Sequence, residues 1–397
     1  MKKVSIIGAG KVGLCVAVHL TNLGHNVKVY DNYKPLLEKL ARKENPLEWE
    51  PGVNLDKITV CSTLADAVND VECVFIVVPT PTKDTCLSGA PVAQVLDEIE
   101  AVLETGTVVC VVSTLDPRDA KEVMKPRRNM ALVYSPCMIK LGSVIKDLEN
   151  ASVLFLGNDT GKSDACRCVR DCWYPNGVPS QVDVIRGSIT TIAMAKFATN
   201  FALSWKIGLA NNIAAKCDHI GADKNTVLRA VGSDPRINSL YLKHGNSPGG
   251  PCIYRDGIAF ATLPGGATEM DHALVKWHAD THDNLVSQAY KWARSKHTKK
   301  VAILGVAYNP KGLDTTNSIG LSVARALSTT SVPSVNVFDP ASKWLLKQED
   351  EKFKIVNTIA DAVQDADVVI IGTMWDEIKE WYNKNDSGKV LVLDWRK

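Results

Sequence analysis

The chain has no paired cysteine framework, no long apolar run and almost no net charge. Eleven cysteines are scattered over 397 residues. In a chain of this size and without a secretory leader, that pattern reads as reduced thiols in a cytoplasmic protein. Their densest group, Cys166, Cys168 and Cys172, lacks the usual zinc spacing, so exposed or half-buried thiols are expected there and no metal. No stretch reaches the ~18 apolar residues that a membrane-spanning helix needs. The first apolar run breaks at once into glycines, which does not fit a signal peptide. A net charge of +2 supplies no broad field for nucleic acid or an anionic membrane, so any anionic ligand must be held by local groups.

What is present is a sentence written twice. KKVSIIGAG at Lys2 returns as KKVAILGVA at Lys299, VKVYD at Val27 as VNVFD at Val335, and ADAVND at Ala65 as ADAVQD at Ala360. Each copy has the grammar of buried strand, turn, helix and next strand. Further β runs, CVFIVVPT, TVVCVVST and ASVLFLG, alternate with helical stretches in the first part. Such alternation builds a parallel sheet covered on both faces. From about Gly187 the pattern turns to long amphipathic helices. The expected architecture is α/β in three parts: a Rossmann-type domain over 1–186, a helical central domain over 187–297, and a second Rossmann-like domain over 298–397.

Gly8-Ala9-Gly10-Lys11-Val12-Gly13 follows a strand and opens a helix, and Asp31 ends the next strand. The first glycine allows the tight turn, the second lets backbone approach a pyrophosphate, and the third lets helix and strand pack closely. Phosphate oxygens would sit at the helix N-terminus. Asp31 would accept hydrogen bonds from a ribose diol and repel a 2′-phosphate, which favours NAD over NADP. At the second copy the corresponding stretch is Gly305-Val306-Ala307-Tyr308-Asn309-Pro310. Its later glycines are gone and Pro310 would stop a helix there, so a second NAD site is not expected.

The chain resembles the UDP-glucose/GDP-mannose dehydrogenases. The matches run in order over almost its whole length: GAGKVGL; EPG at Glu50; VPTPTK at Val78; ST at Ser113; GS..KDL at Gly142; Lys196, Asn200 and Lys206; SDPRI at Ser233; GGPC..RD at Gly249; VAILGVAYNP; and DADVVIIGTMWDE at Asp365. The resemblance implies an N-terminal NAD domain, a helical dimerisation domain and a C-terminal domain that holds the nucleotide of a UDP-sugar. It also implies oxidation of the sugar's primary alcohol to a carboxylate with two NAD molecules, through a thiohemiacetal and a thioester on a cysteine. UDP-glucose 6-dehydrogenase chemistry in a homodimer is the expectation.

Cys252 follows two glycines and a proline, and a glycine-cradled thiol beside Arg255 is a candidate nucleophile; an inert buried cysteine is the alternative. Lys196 and Asn200, four apart, share one helix face, where an ammonium and an amide can stabilise an oxyanion. Asp256 resembles the family's acidic residue that orients water or moves a proton, and otherwise would cap a helix. Thr114 ends a strand and looks like the family's water-holding threonine; it also stands with Pro79 and Thr80 among the residues expected at the cofactor. Lys140, Lys206, Gly249, Gly250 and Tyr308 match substrate-side positions. Arg236 resembles an arginine that reaches the substrate across a dimer interface, with a surface salt bridge as the competing reading.

The departures matter as much. The family's glutamate-bearing PEFLxEG stretch is Pro136-Cys137-Met138-Ile139-Lys140-Leu141-Gly142 here, without either carboxylate. Asn309 stands for a usual lysine, Thr316 for a usual arginine, and Pro248 for an aromatic. Impaired thioester hydrolysis is the consequence expected. Two other readings remain at this point: a catalytically inactive NAD-binding homologue, and a simple β-hydroxyacid dehydrogenase, which needs neither the cysteine nor a second α/β domain.

Overall fold

The computed structural model describes residues 1–103, 106–161, 163–266, 268–296, 298–329, 334–385 and 388–393. The chain divides into two compact units, Met1–Ala198 and Thr199–Lys397. The boundary falls inside one continuous helix, Ile189–Ile220.

The first unit is built on an eight-stranded sheet. Its strands are β1 (Lys3–Ile7), β2 (Asn26–Tyr30), β3 (Ile58–Val60), β4 (Cys73–Ile76), β7 (Thr107–Val111), β8 (Met130–Tyr134), β9 (Val153–Gly157) and β10 (Asp183–Gly187), with a small hairpin of β5 (Thr82–Lys83) and β6 (Cys86–Leu87) standing apart. The order is β10-β9-β8-β7-β4-β1-β2-β3. Strands β1, β4 and β7 are buried along almost their whole length, as the continuous Val/Ile runs demand when both faces are covered. One core cluster gathers Leu14, Val18 and Leu20 on one face; another gathers Leu96, Ile99 and Leu115 on the other.

The sheet is not wholly parallel, which corrects the expectation from alternation. Strand β9 joins β8 antiparallel through the single pair Tyr134↔Gly157, and β10 then runs parallel to β9. Gly157 permits that join, because a Cβ there would lie 3.2 Å from Cβ of Tyr134 and 3.3 Å from Cα of Ile189.

The second unit begins with helices, of which the longest after Ile189–Ile220 is Thr268–Ser295. It ends in a five-stranded sheet of β11 (Lys300–Leu304), β12 (Ser334–Phe338), β13 (Lys354–Ile355), β14 (Val368–Ile371) and β15 (Val390–Val392), ordered β13-β12-β11-β14-β15 and parallel throughout. Ala289 and Ala293 of the Thr268–Ser295 helix enter the core of this sheet with Val301, Ile303 and Val337. Among the described residues no helix is long and apolar enough to cross a membrane.

Candidate active site

The loop after β1 is shaped by its own backbone at two glycines and left open at the third. Gly8 sits at φ +99°, and a Cβ there would lie 2.4 Å from the Val77 carbonyl oxygen. A Cβ on Gly13 would lie 1.8 Å from the Gly8 carbonyl oxygen, so the Lys11–Asn22 helix can start against β1 only without one. A Cβ on Gly10 would meet nothing within 4 Å. The protein's own packing therefore does not require Gly10 to be glycine; the open space beside an exposed helix N-terminus is what an approaching pyrophosphate needs. Lys11 is exposed and Val12 half-buried. The half-buried Asp31 accepts from Ala9 N–H at 2.7 Å and Tyr33 N–H at 2.8 Å, which fixes the carboxylate at the lip of the loop.

The next strand end adds a second wall. Ser113 Oγ donates to the Val78 carbonyl at 2.8 Å and accepts from Val78 N–H at 2.9 Å, so one hydroxyl pins the Val78-Pro79-Thr80 turn. Pro79 is exposed, Thr80 buried and Thr114 half-buried at this edge. Strand ends at the carboxyl edge of an open α/β sheet are where its ligands lie.

Lys196 is 7 % exposed. Its ammonium donates to the Cys137 carbonyl at 3.0 Å and approaches Met138 Sδ at 3.3 Å. Burial pushes the Cys137 thiol up to about 12, with the Lys196 charge pulling the other way, so this side chain is neutral at pH 7. The loop is held from outside by Glu50: this buried carboxylate accepts from the Ile145 N–H at 3.4 Å and from Val144 and Gly142 N–H. Burial raises the Glu50 pKa against those donors. That explains the EPG motif as the anchor of the 137–147 segment. Lys140 is exposed, its N–H given to Asp147 Oδ2 at 2.9 Å.

In the second unit Cys252 is exposed and is the N-cap of the Ile253–Ala261 helix. Behind it Asp256 is fully buried, lying in the first turn of the helix and not at its cap. Its Oδ2 accepts from the Asn200 amide at 2.6 Å, and its Oδ1 pairs with the Arg255 guanidinium at 2.9 Å. The Arg255 charge is thus directed to Asp256, a partner that inspection of the sequence did not offer it. A buried carboxylate with an ion pair and an amide donor is well compensated, and it fixes the Asn200 side chain.

The cysteine loop is gripped by the altered loop of the second repeat. Gly250 N–H donates to the Thr316 carbonyl at 2.8 Å, and the Asn317 amide donates to the Pro248 carbonyl at 2.7 Å and Ser247 Oγ at 3.0 Å. The Tyr308 ring lies so close that a Cβ on Gly250 would come within 2.7 Å of it, and one on Gly249 within 3.1 Å of Tyr308 Cβ. Burial, and then the neighbouring Cys252, raise the Tyr308 hydroxyl above its ordinary range. Asn317, unremarked in the sequence, adopts a left-handed φ of 55°.

Lys206 and Arg236, expected on the substrate side, both make contacts in the second unit. Lys206 donates to the Ile237 and Asn238 carbonyls at 2.9 and 3.0 Å, closing the loop that carries Arg236. Arg236 pairs with Asp234 at 2.6 Å with its side chain 86 % exposed.

Family models for the UDP-glucose/GDP-mannose dehydrogenases match three stretches in order: the NAD binding domain over 2–172, the central domain over 190–277 and the UDP binding domain over 302–397. The chain belongs to the UDP-glucose/GDP-mannose dehydrogenase family. It is 27 % identical to the UDP-glucose 6-dehydrogenase AglM of Haloferax volcanii, over 100 % of this chain and 96 % of that one. Among solved structures it resembles a UDP-glucose dehydrogenase from Pyrobaculum islandicum, with TM-score 0.86, 24 % identity and coverage of 100 % and 95 %. A UDP-D-ManNAc dehydrogenase from Pyrococcus horikoshii has the same fold, at TM-score 0.78 and 18 % identity, covering 98 % and 99 %. NAD is accordingly the cofactor of this dehydrogenase, and the open cradle at Gly10 with Asp31 at its lip fits the group.

Proposed function

We propose that this family member oxidises the primary alcohol of a UDP-sugar, UDP-glucose first among candidates, to the carboxylate through a thiohemiacetal and a thioester on Cys252. The observation that carries the reading is an exposed cysteine capping a helix whose first turn carries Arg255 and Asp256, the latter bonded to Asn200 of the Ile189–Ile220 helix. When bound, NAD takes a hydride from the sugar carbon at each of the two oxidations. Gly8, Gly10, Gly13 and Asp31 would hold it, with Lys11, Val12, Pro79, Thr80 and Thr114 at the rim. Cys252 Sγ adds to the aldehyde carbon after the first oxidation, and its proton goes to the new alkoxide oxygen. Lys196 and Asn200, one turn apart on the same helix, supply donors for the oxyanion. Loss of hydride from the thiohemiacetal carbon, with its hydroxyl proton released to solvent, would leave the thioester; water adds to it, the C–S bond breaks, one water proton passes to the leaving thiolate and the other to solvent as the carboxylate forms. Gly249, Gly250 and Tyr308 shape the loop of the nucleophile, while Lys140, Lys206 and Arg236 are the remaining substrate-side candidates, Arg236 within a homodimer.

The hydrolytic step is the altered one. A neutral Cys137 thiol and Leu141 cannot take a proton from the attacking water as a glutamate does, so Asp256 is left as the nearby carboxylate on the cysteine side. Excess NAD and UDP-glucose should give a fast burst of NADH and an acyl adduct on intact-protein mass spectra, followed by slow turnover. Steady release of two NADH per sugar with no trapped adduct would refute the hydrolytic defect. Replacing the nucleophile, Cys252→Ser, should remove the adduct and reduce turnover by several orders of magnitude; retained activity would favour hydroxyacid-dehydrogenase chemistry, and NAD binding without turnover on any UDP- or GDP-sugar would favour an inactive homologue.

A further inference from the structure

Opposite the Gly8 loop, the first unit brings one sulfur that is distant in sequence to two others on a single helix. Cys73 opens β4; Cys168 and Cys172 lie one turn apart on the Ser163–Trp173 helix. All three Sγ atoms are within 4.8 Å of one another. A metal ion about 2.3 Å from each of three thiolates in a trigonal arrangement places the sulfurs about 4 Å apart, so small rotamer adjustments would suffice. Cys166, the other member of the dense cysteine run, is not part of the group.

The surroundings of the trio differ from those of an inert thiol cluster. The Cys172 and Cys73 thiols donate to Cys168, and the Lys2 ammonium places its charge beside the group. Lys2 is itself oriented by Glu72 at 3.1 Å. Cys73 and Cys172 are buried in the apolar cluster with Phe75 and Trp173, whereas Cys168 is only half-buried, so one ligand faces the way in. His25 accepts from Lys2 N–H at Nδ1 (3.0 Å), which leaves Nε2–H to donate to the Cys172 carbonyl at 2.9 Å. Both ring nitrogens are therefore committed, and the imidazole supports the helix end instead of serving as a fourth ligand. Among the described residues no further His, Cys, Asp or Glu joins the three. A divalent zinc site wants four ligands; a three-sulfur set suits a soft monovalent ion.

We propose that Cys73, Cys168 and Cys172 form a three-coordinate thiolate site for a soft monovalent cation of the Cu(I) class. Thiol protons leave to solvent as the ion binds, its oxidation state is unchanged, and Lys2 offsets part of the resulting negative charge. Because Cys73 pairs with Val4 at the amino end of parallel strands β1 and β4, the site is at the edge of the sheet opposite the Gly8 loop. Its occupancy should therefore leave NAD affinity unchanged.

The test uses the reduced full-length protein under anaerobic conditions, titrated with Cu(I) against a competing bathocuproine chelator, with native mass spectrometry as the count. The expected result is one tightly held Cu(I) per chain, kept in Cys252→Ser and Cys166→Ser and weakened about a hundredfold or more in Cys168→Ser. X-ray absorption should report a shell of three sulfurs. NAD binding by Cys168→Ser verifies that the variant is folded. Undiminished uptake in Cys168→Ser, no uptake by the parent protein, preference for Zn(II) in direct competition, or conversion of two of the thiols to a disulfide without metal uptake would each overturn the proposal.

Discussion

The two α/β repeats share their backbone devices and differ in what their first loops do. In both, a glycine at positive φ ends the first strand and donates to the end of the second: Gly8 N–H to the Tyr30 carbonyl at 2.9 Å, Gly305 N–H to the Phe338 carbonyl at 2.8 Å. In both, a threonine caps the next short helix, Thr63 accepting from Asp66 N–H and Thr358 from Asp361 N–H. The acid at the end of the second strand has diverged in setting. Asp31 is half-buried, while Asp339 is 1 % exposed, receives Val306, Ala307 and Ala341 N–H and the Trp375 indole, and has its pKa raised by burial. The first copy leaves its loop open at Gly10; the second fills the same place with its own chain and uses an excursion over 306–318 to grip the Cys252 loop. A common fold thus fixes strand, turn and helix, and the loop between them is free to change its ligand.

That comparison also corrects the expectation that the second repeat had lost its packing glycine. Gly320 does the work of Gly13: a Cβ on it would lie 2.1 Å from the Gly305 carbonyl oxygen. The helix simply starts after the excursion, at Ile319.

The sharpest way to break the parallel is at these two glycines. Gly13→Ala and Gly320→Ala should each destabilise the protein by about 3 kcal/mol or more, since the colliding atom is a backbone oxygen that cannot rotate away; a shift in Tm within error for either would show that its repeat does not depend on that close approach. Gly10→Ala should separate function from folding, with NAD affinity reduced at least about tenfold, or 1.4 kcal/mol, and Tm unchanged; equal loss of both would mean that the open space is not the cofactor's. Asn317→Ala tests the second loop as a positioning device. Its kcat should fall while NAD affinity stays constant, and a parallel fall in NAD affinity would contradict the division of labour. Smallest and matched in the two copies, Thr63→Ala and Thr358→Ala should each cost about 1 kcal/mol by denaturant unfolding; a clear difference would mean that one short helix depends on its cap and the other on packing.

Much of the fold was legible because it rests on local patterning. Buried Val/Ile strands, glycine turns and the Thr-x-x-Asp caps all act within a few residues of themselves. The Gly8–Gly13 loop was legible for the same reason, since its three glycines and Asp31 belong to one strand-helix-strand unit. The cysteine side was less so. That Asp256 would pair with Asn200, that Lys206 would close the 237–238 loop, and that Asn317 would clamp Pro248 are contacts between segments far apart in the chain. Glu50 could have been suspected as an acid in a Pro-Gly turn, but its partners, the N–H groups of 142–145, lie too far along the chain to be inferred.

Order along the chain therefore settled the repeat, the family motifs and the cofactor, because each is carried by residues near one another in sequence. Side-chain partnerships were decided by the fold, since desolvation and hydrogen bonding depend on neighbours in space. Cys73, Cys168 and Cys172 show the division plainly: spacing on the helix supplies two sulfurs on one face, and only the packing of that helix on β4 brings the third.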